Sequence, residues 1–336
     1  MTRFGLLSFG TITVDYAKII DQYPDLEGIA IIQAISQSCG GPALNICFDI
    51  RQLDPGIPVE LVSAIGVDEA GDFVLAQCEE FGVISKNIKR YSGSKTGFTD
   101  AMLVEGDARR TFFFHRGSCD DLTSEFLPIE TSNASIFHIG APGLHEKLDS
   151  NNGWLDALRR ARQQGMHTNM ELVQLNESEL KNATKNLFPE LDSVIINEVE
   201  AGRLTGIDET VVSIEQSVDW TKIEKMGVRL LEFGVRKFVV VHTPAGAVCV
   251  DREMNIFRQG SVLVGRNEIK STSGAGDAFA AGMLYGVMTN LSLPKSLEMA
   301  VSNAAWNIQQ VGTSVGMVGA EEVLLNARHR GFRQIL

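Results

Sequence analysis

The chain has 336 residues, 44% of them hydrophobic, with 30 basic against 42 acidic side chains and a formal charge of −12. Length and apolar content fit a globular protein with a sizeable core, built as one large α/β domain or as two units. The acidic balance, without a basic stripe, argues against nucleic acid or an anionic membrane surface as partner, while a local pocket remains free to take a small anion.

In chain order, the opening MTRFGLLSFG is too short and interrupted for a signal or membrane segment, which makes the cytoplasm the expected compartment. Short β-branched or aromatic runs predict buried strands at Phe4–Ser8, Val59–Ile65, Ser135–Ile139, Met166–Met170, Ser193–Ile196 and Lys237–His242. Helices are expected between them at Pro42–Leu53, Glu69–Phe81, Gly153–Gln164 and Ser217–Phe233. Ser150 and Asn151 offer caps for the third, and Gly165 a stop. Further helices are expected near 276–288, 295–310 and 320–328. The alternation points to an α/β protein with a largely parallel sheet covered on both faces.

Two stretches break the rhythm. Within 11–38, TITVDYAKII and IAIIQAIS read as a strand pair; within 96–117, TDAMLVEG and RRTFFFHRG read as another, turning at Gly106-Asp107. The division expected is a core of 1–10, 39–95 and 118–336 with an inserted β lid of 11–38 and 96–117. Ligands of doubly wound sheets bind beyond the carboxyl ends of the strands, where such insertions exclude water. The alternative is an accessory sheet for subunit contact. The apolar strand IAIIQAI needs its edge covered, so a homodimer through the lid is expected. Cysteines at 39, 47, 78, 119 and 249 have no disulfide or zinc spacing and read as buried hydrophobes.

The segment KSTSGAGDAFAAGMLYGV carries the most chemistry. Gly274 and Gly276 let main-chain N–H groups converge, and the helix expected after them adds the positive end of its dipole. Asp277 then has two readings: a helix cap, or a general base beside an anion hole made by Gly274, Ala275 and Gly276. The second is what phosphoryl transfer requires. No G-x-x-x-x-G-K-[ST] or H-R-D occurs, and Phe279 stands where a dinucleotide motif needs its third glycine.

Here STSGAGDAFAAG resembles the D-T-x-G-A-G-D-x-F-x-x-G signature of ribokinase-like (PfkB-type) carbohydrate kinases. The likeness extends in order through the Asp15 of GTITVD, the Gly40, Gly41 and Asn45 of GGPALN, GVDEAG at 66–71, and the Asn197 and Glu200 of NEVE. It implies a three-layer α/β/α fold with a mostly parallel central sheet and a small β lid. It also implies ATP and Mg²⁺ as cofactors and transfer to a primary hydroxyl of a sugar or sugar-like acceptor. Asp277 is then the base, Asp15, Gly40, Gly41 and Asn45 serve the acceptor, and Asn197 and Glu200 serve Mg²⁺ and nucleotide. Thr243, Gly246, Gly274, Gly276 and Asn303 are the remaining nucleotide contacts. Arg116 is a further candidate for gripping an anionic group on the acceptor, against the alternative of a solvated edge-strand charge.

Four positions depart from the family pattern. Ser271 replaces the aspartate of a monovalent-cation site, which puts a K⁺ requirement in doubt; the neighbouring Lys270 is either a substitute charge or simply solvated. The nucleotide-side G-x-x-G reads Thr243-Pro-Ala-Gly246. A common D-x-N is Thr168-Asn169-Met170-Glu171, where Asn169 or Glu171 either compensates or lies on the surface. Gly117-Ser118-Cys119 replaces G-A-N. These departures keep two alternatives open: a nucleoside kinase, and a catalytically weak sugar- or nucleotide-binding regulator on the same fold.

Overall fold

Strand residues alternate between two apolar cores, and that alternation sets the layers. The structure is a computed structural model describing residues 3–104, 110–208, 218–310 and 312–335. The first part of the chain forms β1 (Leu6–Gly10), β2 (Thr13–Ile20), β3 (Ile32–Gly40), α1 (Pro42–Leu53), β4 (Val59–Val62), β5 (Ala64–Gly66), α2 (Glu69–Glu80), β6 (Lys89–Tyr91), β7 (Phe98–Val104) and β8 (Arg110–His115). Next come β9 (Ile136–Gly140), α3 (Glu146–Ser150), α4 (Gly153–Gln163), β10 (His167–Glu171), α5 (Glu177–Ala183), β11 (Ser193–Asn197), α6 (Glu198–Thr205) and α7 (Trp220–Glu232). The chain closes with β12 (Phe238–Thr243), β13 (Gly246–Asp251), β14 (Ile256–Gly260), α8 (Ala275–Met288), α9 (Leu293–Asn307) and α10 (Ala320–Arg330).

The central sheet has eight strands in the order β14-β13-β12-β11-β10-β9-β1-β4. It is parallel from β4 to β12, and β13 and β14 join antiparallel. Phe238 and Val240 of β12 face one core with α1, α8 and α9; Val239 and Val241 face the other with α4, α6 and α7. Such two-sided burial is why the parallel strands read as unbroken apolar runs. Gly10, Gly140 and Glu171 stand side by side at the carboxyl edge of the sheet, as do Asn197 and His242. The strands expected to form the lid make a separate four-stranded sheet, β3-β2-β7-β8, with β2 and β3 antiparallel and β2 and β7 parallel.

Several expectations change. The first strand starts at Leu6 rather than Phe4, because Gly5 turns with φ 104° against Pro58. The run Val59–Ile65 divides at Ser63, whose hydroxyl donates to the Gly10 carbonyl, and β5 leaves the main sheet to pair with β6. Ser150 ends α3 and Asn151 follows it, so neither caps α4; that position belongs to Asn152 at φ 53°. The strands β6, β13 and β14 and the short helices α3, α5 and α6 lie outside the expected elements. The Gly106-Asp107 turn and the Ser217 helix start lie outside the described residues. No described helix is long and apolar enough to cross a membrane.

Candidate active site

The lid meets the core where β3 runs into α1. Gly40 has no side chain because the Asp15 carboxylate lies over it: a Cβ there would sit 2.2 Å from Asp15 Oδ2. Gly41 adopts φ 93° and packs on Thr11, where a Cβ would be 2.4 Å from the carbonyl oxygen. Thr13 Oγ1 donates to Asp15 Oδ1 at 2.9 Å. Burial pushes the Asp15 carboxyl up, against the pull of Thr13 and Thr99, and the charge of Asp277 pushes the same way. One helical turn into α1, Asn45 Nδ2 donates to Asp277 Oδ2 at 2.6 Å, while buried Asn45 Oδ1 has no protein partner. A hydroxyl donor from a ligand would satisfy that oxygen.

Gly274 is the N-cap of α8, at φ 78° and ψ −3°. A Cβ on it would lie 2.1 Å from the Thr313 carbonyl, so only glycine fits. Thr313 is held in turn by Asn307 Nδ2 at 2.6 Å and donates to Cys39 O at 2.7 Å, tying the glycine turn to the end of β3. Gly276 is different: a Cβ there meets only Glu171 Oε1 and His242 Cε1, both at 3.9 Å, because its open side faces a cavity. That cavity, about 130 Å³, is lined by Glu171, Asn197, Glu200, His242, Gly274, Gly276 and Asp277, among others. The first amides of α8 have no carbonyl one turn back and stand at the positive end of its dipole. Asp277 is half-buried in this wall. Burial raises its carboxyl pKa, opposed by hydrogen bonds from Asn45 and Glu171.

Asn197 and Glu200 form a reciprocal cap on α6: Asn197 Oδ1 accepts the Glu200 N–H at 2.8 Å, and Glu200 Oε2 accepts the Asn197 N–H at 3.2 Å. Burial pushes Glu200 up to about 7. A divalent cation in the adjoining cavity would offset that cost, and an oxygen donor suits Mg²⁺. The described residues hold no cluster of three or more metal-ligating side chains. The donor set therefore fits an ion bound mainly by water and phosphate, the usual habit of Mg²⁺.

A larger cleft of about 340 Å³ adjoins this cavity, sharing Asn197, His242 and Gly276 with it. Val262, Val264, Ile269, Val301, Ala304 and Ile308 give it apolar walls, and Thr243 lies at its rim. Two of the expected nucleotide contacts are engaged within the protein. Asn303 is fully buried and donates to Ala278 O at 2.8 Å, pinning α9 to α8, and its neighbour Ala304 faces the cleft instead. Gly246 is buried opposite Thr243 in the β12–β13 hairpin, at φ 152°, with no room for a Cβ against Gln259.

Other candidates fall into ordinary places. The half-exposed Arg116 guanidinium lies 4.0 Å from Asp120. Lys270 is exposed and therefore solvated. Asp68 caps α2 and receives the Thr96 N–H and hydroxyl at 2.9 and 2.6 Å, joining that helix to the lid root. Ser118 and Cys119 are buried, donating to Ala64 O and Ile12 O. All five cysteines are free and buried. The surface alternative for Asn169 and Glu171 is wrong: both are buried. Glu171 and Asp49, which act on Asp277, and His138, 3.9 Å from Glu171, are polar groups to which the sequence reading gives no firm role. Their signal was polarity inside segments otherwise apolar enough to be core.

The pfkB family carbohydrate kinase model matches residues 5–318. Among known proteins, the chain is 26% identical over 287 residues to probable fructokinase-7 of Arabidopsis thaliana, covering 82% of this chain and 78% of that one. It is 20% identical over 333 residues to 5-dehydro-2-deoxygluconokinase of Clostridium botulinum, covering 96% and 92%. Its fold matches that of Arabidopsis thaliana ribokinase, solved with ribose and ATP, at TM-score 0.76, 19% identity and coverage of 96% and 98%. With its glycine-turned helix terminus, its lid and a match across nearly its whole length, the chain belongs to the pfkB family of carbohydrate kinases, on the ribokinase-like fold.

Proposed function

We propose that this kinase transfers the γ-phosphoryl group of ATP to a primary hydroxyl of a sugar or sugar-like acceptor. The observation that carries the reading is Asp277 at the start of α8, bonded to Asn45 beside the lid and lining the cavity that adjoins the larger cleft. The nucleotide base occupies the apolar cleft, and its phosphates extend toward Gly276. The acceptor lies between Asp15 and Asn45, where one carboxylate accepts hydroxyls and an amide both donates and accepts. As the acceptor oxygen bonds to the γ-phosphorus, its proton passes to Asp277. The bond to the β-bridging oxygen breaks and its electron pair leaves with ADP. The amides of Ala275 and Gly276 stabilise the equatorial oxygens, in the turn that Gly274 makes possible. Glu200 and Asn197 would hold Mg²⁺ through water, and the ion would neutralise phosphate charge.

Ser271 removes a carboxylate from the family's monovalent-cation position, so turnover is proposed not to depend on K⁺ over Na⁺. The lid exposes Ile19, Ile32, Ile35, Phe112 and Phe113, a surface that supports dimerisation through this sheet. The division into core and lid proposed from the sequence assigns 39–40 to the core, although both residues end β3 of the lid sheet. The test is ADP release with Mg²⁺ across pentoses, hexoses, their acids and nucleosides, in Na⁺ and in K⁺. One acceptor bearing a free primary hydroxyl supports the reading, and its analogue deoxygenated at that carbon must be inert. Ligand binding without phosphorylation would make the chain a regulator; turnover confined to nucleosides would make it a nucleoside kinase.

A further inference from the structure

Glu171 closes β10 beside Gly140 at the carboxyl edge of the sheet and is only 6% exposed. It lines the same cavity as Asp277, and the two carboxyl groups act on each other there. Two ionised carboxylates have no proton to share, so a hydrogen bond between them requires one of the pair to be protonated. The surroundings say which. Asp277 receives the Asn45 amide at 2.6 Å and sits in the first turn of α8, both of which favour its charge. Glu171 has neither. Its Oε2 is buried without a partner, and the nearest basic atom, His138 Nε2, is 3.9 Å away, beyond a hydrogen bond.

In the metal-free site the charged groups acting on Glu171 are Asp277 from α8, Glu200 from α6 and Asp49 from α1, all acids. His138 from β9 is fully buried and held neutral: burial pulls it down to about 4, although its Nδ1 bonds Asn169 Oδ1 at 2.8 Å. His242 from β12, across the Gly276 position, is likewise pulled down to about 4 by burial. Burial, then the charge of Asp277, pushes Glu171 well above the usual carboxylate range.

We infer that Glu171 is a positioning residue for this reaction, a neutral carboxylic acid that donates its O–H to Asp277 and holds that carboxylate ionised and oriented toward the acceptor. The inference rests on Asp277 being the base. Glu171 keeps its own proton throughout: the acceptor's proton goes to Asp277, and no further group is consumed. A hydrogen bond to a charged acceptor of this kind accounts for roughly ten- to a hundredfold in rate.

Two measurements test it. The first needs no acceptor: the infrared difference spectrum of wild type minus Glu171→Gln at neutral pH should contain a protonated-carboxyl band. Loss of carboxylate bands alone overturns the inference. The second uses D-fructose and D-ribose as acceptors, joined by whichever compound releases most ADP in the panel. Glu171→Gln retains an N–H donor and should keep kcat within about threefold, with the acid limb of its pH profile unmoved. Glu171→Ala should lose roughly ten- to a hundredfold in kcat at unchanged KM for ATP. Its acid limb should move to higher pH, because Asp277 has lost a donor to its charged form. An unmoved limb, or equal losses in Gln and Ala, would mark Glu171 as packing only. In an Asp277→Asn background, Glu171→Ala should change nothing further. If Asp277→Asn is itself near wild type, the base assignment fails, whereas the infrared result still reports the protonation of Glu171.

Discussion

Replacing Gly276 with alanine separates folding from chemistry at the helix terminus. Gly276 lies within α8, and its added Cβ would have no neighbour closer than Glu171 Oε1 and His242 Cε1 at 3.9 Å, ordinary van der Waals contact. No clash has to relax, and alanine is the better helix former by up to about 1 kcal/mol. The variant should therefore melt at or slightly above the wild-type temperature. The new methyl group, however, projects into the wall shared by the two cavities, where a phosphoryl oxygen must approach the Gly276 amide. Alanine keeps its N–H, but a methyl group that bars the phosphoryl oxygen forfeits that donor, and losing one preorganised donor of an anion hole costs on the order of 10²–10³ in kcat, so turnover should fall by at least about a hundredfold. Thermal melting and a coupled ADP assay on one preparation give both numbers. Wild-type turnover with an intact fold would refute the placement of the phosphoryl group. A large loss of stability would refute the claim that this glycine is retained for the ligand.

The partner substitution Gly274→Ala should behave oppositely, losing about 2–5 kcal/mol from the left-handed conformation and the backbone clash with Thr313; denaturant unfolding measures it. Glu200→Gln should stabilise the metal-free protein in a pH-dependent way. The folded-state value of Glu200, about 7 against an ordinary 4.5, means the native state holds an extra proton between those limits. Stability therefore falls as pH rises through that window. The variant should gain up to about 3 kcal/mol near pH 8 and little near pH 4, read by unfolding in chelator. Asp15→Asn should raise KM for the acceptor more than for ATP, since Asp15 sits on β2 of the lid sheet beside Gly40, on the side of the site where Asn45 meets Asp277; steady-state kinetics decide. Phe112→Glu together with Ile35→Lys should give a monomer in sedimentation if the exposed lid face pairs two copies.

The fold was legible where burial is symmetrical. Strands such as Val239–Val241 sit between two cores, so their continuous apolar composition announces them. It was less legible where one short residue redirects the chain. Ser63 diverts β5 through a single hydroxyl bond, and Gly5 moves the first strand two residues on, neither of which leaves a periodic signal. β14 alternates weakly, with exposed and half-buried residues, and reads as loop. At the site, the Gly-Ala-Gly-Asp run was visible because the conformation it demands is written in glycine. Glu171 and Asp49 were harder, since a buried acid and a surface acid look alike until the surrounding elements are placed. Asn303 and Gly246 show the converse: residue types suited to touching a ligand also satisfy neighbouring backbone or turn a hairpin, and the sequence does not separate the two uses.

The central claim is that Asp277 removes the acceptor proton, and single-turnover transfer from ATP by Asp277→Asn tests it most directly. Asparagine is nearly isosteric and cannot take up the proton, so ATP binding should stay within a few-fold of wild type while the transfer rate drops by roughly 10²–10⁴. Transfer at a near-normal rate, with ATP bound normally, would contradict the account.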